Sequence, residues 1–418
     1  MGANSTYSDS GANPAVARTL LPPLSLGCFL LIVCYFTLTF PGSQGARFTR
    51  LFLSPFALWA FWDFGFGHFL HYDPLMPVTV YTVLGSYGPF GLLRTIEAFF
   101  LMADDPPRWV SLQTGEVLPL PEDLSGRIGY ALDLFATIRG LSWFRGRRWD
   151  FALPRLAEFQ SPHSRATFAI RRIALFALCY LAADAVDACI KAIPFDLTSS
   201  RPVTSAPLTQ QLVCVIGLSL WTLFGMEIYL ALLSAICVGF GLTSSSAWPP
   251  LFDSPFLATS IQDFWGNRWH HVYRQSFVRF ATSITSLFLG SNAKANKGIG
   301  RVAKIILVFL LSALLHVSII ARHPQNPALA RRGLLDWSTI FFFFGQPVGM
   351  GIDICIVYLG AGTTWRRIFT WVWFPWTARW WADAYVKTGL LGGSEPFISW
   401  SPVRGILFGN WYPEPVVP

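Results

Sequence analysis

Charged residues are scarce in this chain. Of its 418 residues only 13% are charged, whereas 53% are hydrophobic, and an ordinary soluble domain carries about 25% charged residues. We therefore predict an all-α, polytopic integral membrane protein rather than a soluble globular one. The net charge of +8 does not indicate nucleic-acid binding, because the basic residues cluster in short segments between apolar runs, as is typical of cytosolic membrane loops.

Several sequence motifs are missing as well. The seven cysteines are odd in number and include no Cys-x-x-Cys pair, so neither a disulfide framework nor a zinc site is predicted. No Walker loop, Gly-x-Gly-x-x-Gly or Gly-x-Ser-x-Gly motif occurs, which argues against nucleotide-driven and serine-hydrolase chemistry. No internal repeat of about 20–50 residues is present, which argues against a solenoid and an inverted-repeat transporter.

Long apolar runs dominate what is present. Residues 1–18 are polar and are predicted to be disordered, and residues 19–418 are predicted to form a single membrane domain with about eight transmembrane helices around a catalytic tunnel. The run at 208–242 is too long for one upright span and is either one tilted helix or two shorter ones. The run at 303–320 is short and is either re-entrant or buried among other helices. The eight runs are residues 24–40, 51–69, 81–102, 168–190, 208–242, 303–320, 340–359 and 368–385.

His316 lies inside one of these runs, the one at residues 303–320. An ionisable side chain at membrane depth is costly and generally serves a function. A buried imidazole is expected to stay neutral and can then accept a proton from an alcohol, as a general base does in acyl transfer. The structural alternative is a hydrogen bond between helices, for instance to Ser312 one turn earlier or to a neighbouring carbonyl.

A polar and aromatic cluster precedes this run, with the sequence Asp263-Phe-Trp-Gly-Asn-Arg-Trp-His-His271. From Ile261 onward we predict an amphipathic helix at the membrane interface, with Trp265 and Trp269 on one face, Arg268 beside them and Asp263 steadying its start. An aromatic anchor with a snorkelling arginine is the structural alternative. The group formed by Asn267, His270 and His271 is harder to explain by anchoring.

Other polar residues are weaker candidates. His68 and His71 have suitable spacing for a metal but lack a third ligand. Asp184 and Asp187 are a single pair, whereas magnesium-dependent prenyl enzymes use more than one such pair. Glu227 is an acid within an apolar run and is expected to line a cavity or to pair with an arginine or a histidine. No metal site is predicted.

Three segments resemble the wax-synthase-like branch of the membrane-bound O-acyltransferases, in particular fungal members that acetylate terpenoid and meroterpenoid metabolites. They are Trp248-Pro-Pro-Leu-Phe-Asp-Ser-Pro255, Ser260-Ile-Gln-Asp-Phe-Trp-Gly-Asn-Arg-Trp-His270 and Leu311-Ser-Ala-Leu-Leu-His316. A further segment, at residues 131–143, is similar to the family's Arg-Gly-x-x-Trp segment. The resemblance runs from about residue 50 to residue 390.

The resemblance implies that acetyl-CoA or another acyl-CoA, as cosubstrate, and a small hydroxylated metabolite meet in a tunnel through the bilayer, without a permanently bound cofactor. His316 corresponds to the family's catalytic histidine, and His270 to a position that is His or Asn. Asn267 stands where a basic residue is common, and Ala313 where glycine is frequent. An integral protein of the endoplasmic reticulum is expected.

The mechanism that follows is a hypothesis. His316 takes the proton of the acceptor hydroxyl, and His270, assisted by Asn267 or Arg268, orients the thioester or donates to the developing oxyanion. Substrate or coenzyme is expected to contact the surrounding residues Asp263, Trp265, Asn267, Arg268 and Trp269. The coenzyme's phosphates are expected to meet basic loop residues, which are Arg145, Arg147, Arg148, Lys294 and Lys297.

Three other functions stay open. A wax synthase, which transfers a fatty acyl chain to a long-chain alcohol, would use the same base and the same thioester. A transporter or structural membrane protein would use His316 only for packing. An integral prenyl-type lyase would use the aspartate pair.

Overall fold

Helices make up most of the computed structural model, which describes residues 15–67, 78–157, 159, 161, 163–192, 202–289, 297–321, 336–387 and 400–412. The long helices are α1 (Ala15–Thr37), α2 (Gln44–Trp62), α3 (Val78–Ile96), α6 (Arg165–Lys191), α7 (Leu208–Gly239), α9 (Arg274–Leu289), α10 (Lys297–Ala321), α11 (Trp337–Tyr358) and α12 (Thr363–Lys387). Helix α1 begins within the segment 1–18 that was predicted to be disordered, and residues 1–14 lie outside the described residues.

Shorter elements connect these helices. They are α4 (Leu124–Ala136), α5 (Pro154–Ala157), α8 (Ile261–Asp263) and α13 (Pro402–Phe408), together with the antiparallel strands β1 (Trp109–Ser111) and β2 (Arg147–Trp149), in which Trp109 pairs with Trp149. Three wide π-helical turns cover Asp63–Gly67, Glu97–Leu101 and Phe264–Arg268. Short 3-10 turns cover Val203–Ser205, Ser245–Ala247 and Pro255–Leu257.

Four helices, α6, α7, α10 and α11, are long and apolar enough to cross a membrane, among the residues that the structure describes. The prediction of a mostly helical protein is therefore confirmed, and these four helices have the length and composition that the predicted membrane spans require. The prediction of eight spans is not confirmed by length and composition. All eight predicted runs nevertheless fall largely within helices, because the other four runs lie in α1, α2, α3 and α12.

Two apolar runs had left alternatives open, and each of them lies in one continuous helix. The run at 208–242 forms the single helix α7, whose 32 residues extend about 48 Å at 1.5 Å per residue. This is longer than a hydrocarbon layer of about 30 Å, so a helix of this length needs tilt or protruding ends. Helix α10 has 25 residues and runs without a reversal, so it is not re-entrant.

The largest buried apolar cluster joins α6, α7, α10, α11 and α12. Members that fill it include Leu218, Ala313, Phe342 and Ala382. A second cluster joins α1, α2 and α4 with the two strands, around residues such as Tyr35 and Trp149. The first cluster carries the candidate site, since it contains the helix of His316 and packs against Trp265.

Close approach of α6 and α7 depends on Gly217. A Cβ atom at this position would lie 2.4 Å from Cδ1 of Ile190, and Ile190 is fully buried. We expect Gly217→Ala to lower the Tm of the purified protein, because overpacking a filled interior costs about 1–3 kcal/mol. Gly225 lies on the same helix with open space around it, so Gly225→Ala should leave the Tm unchanged or raise it. Equal melting temperatures for the two variants in detergent would contradict this packing.

Candidate active site

The backbone of α10 holds the ring of His316. Nδ1 of His316 lies 2.7 Å from the carbonyl oxygen of Ser312, one turn earlier. A carbonyl oxygen only accepts hydrogen bonds, so in the neutral imidazole Nδ1 carries the proton and Nε2 keeps its lone pair. This bond is the carbonyl form of the structural alternative considered above, yet it leaves the second nitrogen available for chemistry. The ring also packs on Phe343 of α11, with 4.5 Å between ring centroids.

Two cavities meet at His316. The apolar cavity has a volume of about 410 Å³, and the basic cavity, which includes Lys304 and Arg274, has a volume of about 310 Å³. Both volumes lie near the lower end of the range of about 300–1,000 Å³ for small-molecule sites. The apolar cavity is rich in aromatic rings, among them Phe264, Phe342, Phe343, Trp371, Phe374 and Trp381. Five residues line both cavities: Trp265, Trp269, His270, Ser312 and His316.

His270 lies at the same junction as His316. Burial lowers the pKa of His270 to about 3, and the neighbouring His316 and His271 act in the same direction. The ring is therefore neutral at physiological pH and can offer one N–H donor and one lone pair. Within the described part of the chain, Nδ1 of His270 is buried without a hydrogen-bond partner. A substrate group in the cavity could supply that partner.

The segment that carries the two tryptophans differs from the predicted amphipathic helix. The α-helical part, α8, has only three residues and continues as the π-helical turn Phe264–Arg268. Trp269 follows with extended backbone, and its N–H donates to the carbonyl of Phe264, five residues earlier. The helix does not continue past this turn. The carbonyl of Arg268 accepts from the N–H of Asp253 rather than from an N–H later in the chain. The indoles of Trp265 and Trp269 still meet, edge to face, with centroids 6.1 Å apart.

Asp263, Asn267 and Arg268 form a hydrogen-bonded group of their own. The carboxylate of Asp263 accepts from Nε of Arg268 at 2.7 Å and from Nδ2 of Asn267 at 3.1 Å. Burial tends to raise the pKa of Asp263, but these two bonds outweigh it and hold the pKa below its ordinary value. Arg268 also donates to the carbonyls of Asp253 and Ser254. Among the described contacts, this group braces the loop and reaches neither His270 nor the cavities.

Two arginines hold the start of the segment at residues 248–271, which we call the motif loop. Arg139 donates to the carbonyls of Pro249 and Pro250, at 2.8 and 2.9 Å. Arg172 on α6 donates to the carbonyl of Trp248 at 2.7 Å and pairs with Glu227 on α7, with 3.9 Å between the charged atoms. The Arg-Gly-x-x-Trp segment thus holds the Trp248 segment, and the expectation that Glu227 pairs with a cation is met.

Asp133 anchors the Arg-Gly-x-x-Trp segment in turn. Its carboxylate accepts from Nε1 of Trp109, from Oγ of Ser142 and from the backbone N–H of Trp143, all within 2.8 Å. Because these donors come from a strand and from the motif itself, Asp133 fixes the segment against the β1–β2 pair.

His271 belongs to the wall of the basic cavity rather than to the junction of the two cavities. It is buried, and NH2 of Arg155 lies 3.2 Å from its Nε2. Burial lowers the pKa of His271 to about 4, and the charge of Arg155 adds to the effect. Arg155 also pairs with Asp253, with 3.7 Å between the charged atoms. His271 and Arg155 therefore connect the motif loop to the cavity wall.

Positive charge continues outward from the basic cavity. A third cavity of about 280 Å³, the outer basic cavity, shares His271 and Arg274 with it and adds Arg139 and Arg279. Among the described side chains, the cations that lie near His270 and His316 are thus not those predicted for the coenzyme phosphates. Of the predicted ones, Lys294 lies outside the described residues, Lys297 begins α10, and Arg145, Arg147 and Arg148 line a separate cavity.

Sequence reasoning missed Gln346. Its Oε1 accepts from the indole N–H of Trp265 at 3.1 Å, and its amide nitrogen donates to the Phe342 carbonyl and to Oγ1 of Thr377. The side chain is completely buried, so its bonds set the orientation of Trp265. An amide within the apolar run at 340–359 was the available signal, because polar groups in such runs usually bond to another helix.

The weaker candidates have other partners. Asp184 accepts from Oγ of Ser401 and from the N–H of Val403, and Asp187 pairs with Lys191 and Arg404. The aspartate pair therefore docks the segment around α13. No group of three or more metal-ligating side chains occurs among the described residues. The pair His68 and His71 lies outside them.

A comparison with protein families matches residues 248–344 to the membrane bound O-acyl transferase family. This segment begins at Trp248 and contains His270 and His316. Of the curated relatives, acetyltransferase spyB of Aspergillus fumigatus is 25% identical over 311 residues, which cover 71% of this chain and 50% of that protein. Acetyltransferase ataH of Aspergillus terreus is 31% identical over 169 residues, covering 39% and 50% of the two chains.

O-mevalon transferase yanI of Aspergillus niger is 24% identical over 239 residues, which cover 53% of this chain and 50% of that protein. The chain spans about half the length of these three relatives. The predicted resemblance of this chain to the membrane-bound O-acyltransferases and to fungal acetyltransferases is thereby confirmed.

Proposed function

We propose that this protein moves an acetyl group from acetyl-CoA to a hydroxyl of a small apolar secondary metabolite of terpenoid or meroterpenoid type. The observation that carries the proposal is the placement of two imidazole rings, those of His316 and His270, where an apolar and a basic cavity meet. The relatives named as acetyltransferases support the donor. The proposed reaction requires no permanently bound cofactor.

His316 is the proposed general base. Nε2 takes the proton of the acceptor hydroxyl while the hydroxyl oxygen attacks the thioester carbonyl carbon. The N–H of the neutral His270 donates to the oxyanion of the tetrahedral intermediate. Collapse of the intermediate breaks the carbon–sulfur bond, forms the ester and releases the coenzyme thiolate, which recovers the proton from His316. Since the oxygen attacks directly, no covalent enzyme intermediate forms.

The two cavities are proposed to bind the two substrates. The coenzyme carries several negative charges, which favours the side of Lys304, Arg274 and Arg279. The acceptor is apolar, which favours the aromatic cavity of about 410 Å³. This volume suits a compact ring system, and this favours a metabolite acceptor over the long-chain alcohol of a wax synthase. Trp265 and Trp269, which line both cavities, would contact both substrates, whereas Asp263, Asn267 and Arg268 would keep the loop in shape.

We also propose that all eight long apolar helices cross the membrane, which is that of the endoplasmic reticulum. Contacts between helix ends support one common boundary: the N–H of Val203 donates to Asp383 near the end of α12, and Val403 donates to Asp184 near the end of α6. The basic segments before α6 and after α7 then share the opposite, cytosolic side. With three further spans before α6, the segment preceding α1 is lumenal.

Membranes that contain the protein should transfer labelled acetyl groups from acetyl-CoA to a hydroxylated terpenoid or meroterpenoid. His316→Ala should lower this transfer by roughly 10²–10⁴-fold at unchanged expression, because a general base contributes about that factor. His163→Ala provides a matched control, since His163 is a surface residue that bonds to Arg171. Chromatography of the labelled ester measures both variants.

Turnover by the His316→Ala variant at the wild-type rate would remove the assignment of the base. Ester formation from long-chain acyl-CoA and long-chain alcohols alone would instead support the wax synthase. Absence of any ester from the wild-type protein with every donor and alcohol in the panel would favour a transporter or a structural role.

The hydrogen bond between Trp265 and Gln346 should matter for catalysis, because Trp265 lines both cavities. Trp265→Phe and Gln346→Met each remove the same bond, so their effects on kcat/KM should be less than additive, with a coupling energy of about 1 kcal/mol. Nε1 of Trp373 is buried without a partner among the described residues. Trp373→Phe combined with Gln346→Met should therefore give additive effects. Full additivity in the Trp265 pair would mean that Gln346 does not position Trp265.

The sequence contains an N-glycosylation sequon at Asn4-Ser-Thr6, and the proposed orientation places it on the lumenal side. We expect a glycan at Asn4 when the protein is expressed in a eukaryotic cell, seen as a mobility shift that glycosidase and Asn4→Gln both remove. Leu112→Asn creates a second sequon in the exposed turn after β1, on the cytosolic side, and should stay unmodified. Glycosylation at residue 112 but not at Asn4 would reverse the orientation.

A further inference from the structure

A further cavity lies apart from His270 and His316. It has a volume of about 690 Å³, and its described lining includes four arginines and a run of three serines but no acidic side chain. We call it the arginine cavity. The four guanidinium groups, those of Arg145, Arg147, Arg148 and Arg165, come from two separate segments of the chain. Charge that only sets membrane orientation has no need to converge on one cavity.

Two of the four arginines are held in place by strand pairing and side-chain contacts. Arg147 and Arg148 belong to β2, where they pair with Ser111 and Val110 of β1. The guanidinium of Arg147 lies 4.8 Å from the ring centroid of Trp109, and NH1 of Arg148 donates to the carbonyl of Trp149. Preorganised arginines lose less conformational freedom when they bind an anion.

For the other two arginines, no such contact is seen within the described part of the chain. Arg145 precedes Gly146, whose φ of +73° allows the tight turn into β2. Arg165 is the first residue of α6. Both side chains are exposed, and no hydrogen bond to another described side chain is seen for either. Their donors are therefore available to a ligand at the opening of the arginine cavity.

The arginine cavity lies at a membrane boundary. The candidate span α6 begins at Arg165, and the serines Ser244–Ser246 follow the end of the candidate span α7 at Gly239. These two helices pack side by side, so this is where both would leave the same face of the bilayer. The headgroup region of a cytosolic leaflet carries anionic phosphates that attract such basic clusters.

We propose that the arginine cavity binds a phosphate-bearing ligand, held by guanidinium groups from β2, the preceding turn and the start of α6, and by hydroxyls of Ser244–Ser246. Phosphate matches these donors, because guanidinium forks bind its oxygens in a bidentate manner. Two sources share this chemistry: an anionic lipid headgroup and the nucleotide part of a coenzyme. Only the second source rests on the proposed function. The short segment from Arg139 to Leu141 separates this cavity from the outer basic cavity.

Binding to the purified full-length chain in phosphatidylcholine nanodiscs tests the proposal, with thermal stabilisation as the readout. One arm adds adenosine 3′,5′-bisphosphate, and the other adds phosphatidic acid to the nanodisc. The test variant is Arg145→Gln with Arg165→Gln, which removes two cations without breaking an internal bond. The matched control is Arg47→Gln with Arg301→Gln, two exposed arginines outside the arginine cavity.

We expect at least one of the two probes to stabilise the wild type and the control, and to bind the test variant roughly tenfold or more weakly, since each charge-assisted bond contributes on that order. Stabilisation by phosphatidic acid alone identifies a lipid site, and stabilisation by the bisphosphate identifies a nucleotide site. Stabilisation by neither probe, or equal binding by the test variant and the wild type, would overturn the proposal. Acetyl transfer is measured separately, so failure of the proposed function would leave this result interpretable.

Discussion

The hydrogen bond from Nδ1 of His316 to the carbonyl of Ser312 is the constraint on which the candidate site depends. Helix α10 supplies the acceptor from its own backbone, so the ring keeps one tautomer and one direction without help from another polar side chain. Nε2 is thereby left at the point where the two cavities meet. An apolar run can hold such a ring because the only polar bond it needs lies within the same helix turn.

Residues outside α10 set the position of the loop that covers His316. The segment with Trp265 and His270 must close over His316, and it does so because its ends are fixed by cations bound to carbonyl groups. Arg139 and Arg172 hold one end, and Arg268, at the other end, binds the carbonyls of Asp253 and Ser254. These bonds go to backbone carbonyls, so the three arginines hold the loop in place without lining the apolar or the basic cavity at His316.

Sequence reasoning located the helices and the histidines but not the shape of the loop. Hydrophobic runs and the isolated His316 follow from the cost of polar groups in an apolar layer, which acts residue by residue. The π-helical turn at Phe264–Arg268 follows instead from a distant bond between Asp253 and Arg268, which no local pattern reveals. The convergence of Lys304, Arg274 and Arg139 on the basic cavities is likewise a tertiary property. Gln346 is intermediate between a local and a tertiary feature. The sequence shows an amide within an apolar run, but it does not show that Trp265 is its partner.

A structure of the protein with an unreactive ketone analogue of acetyl-CoA, in which CH₂ replaces the sulfur, would test the central claim most directly. We expect the nucleotide end to lie on the side of the basic cavity, and the analogue's carbonyl carbon to lie at the cavity junction, facing Nε2 of His316. Its oxygen should lie within hydrogen-bonding distance of His270. A carbonyl group bound elsewhere, with Nε2 of His316 sealed against neighbouring side chains, would contradict the account.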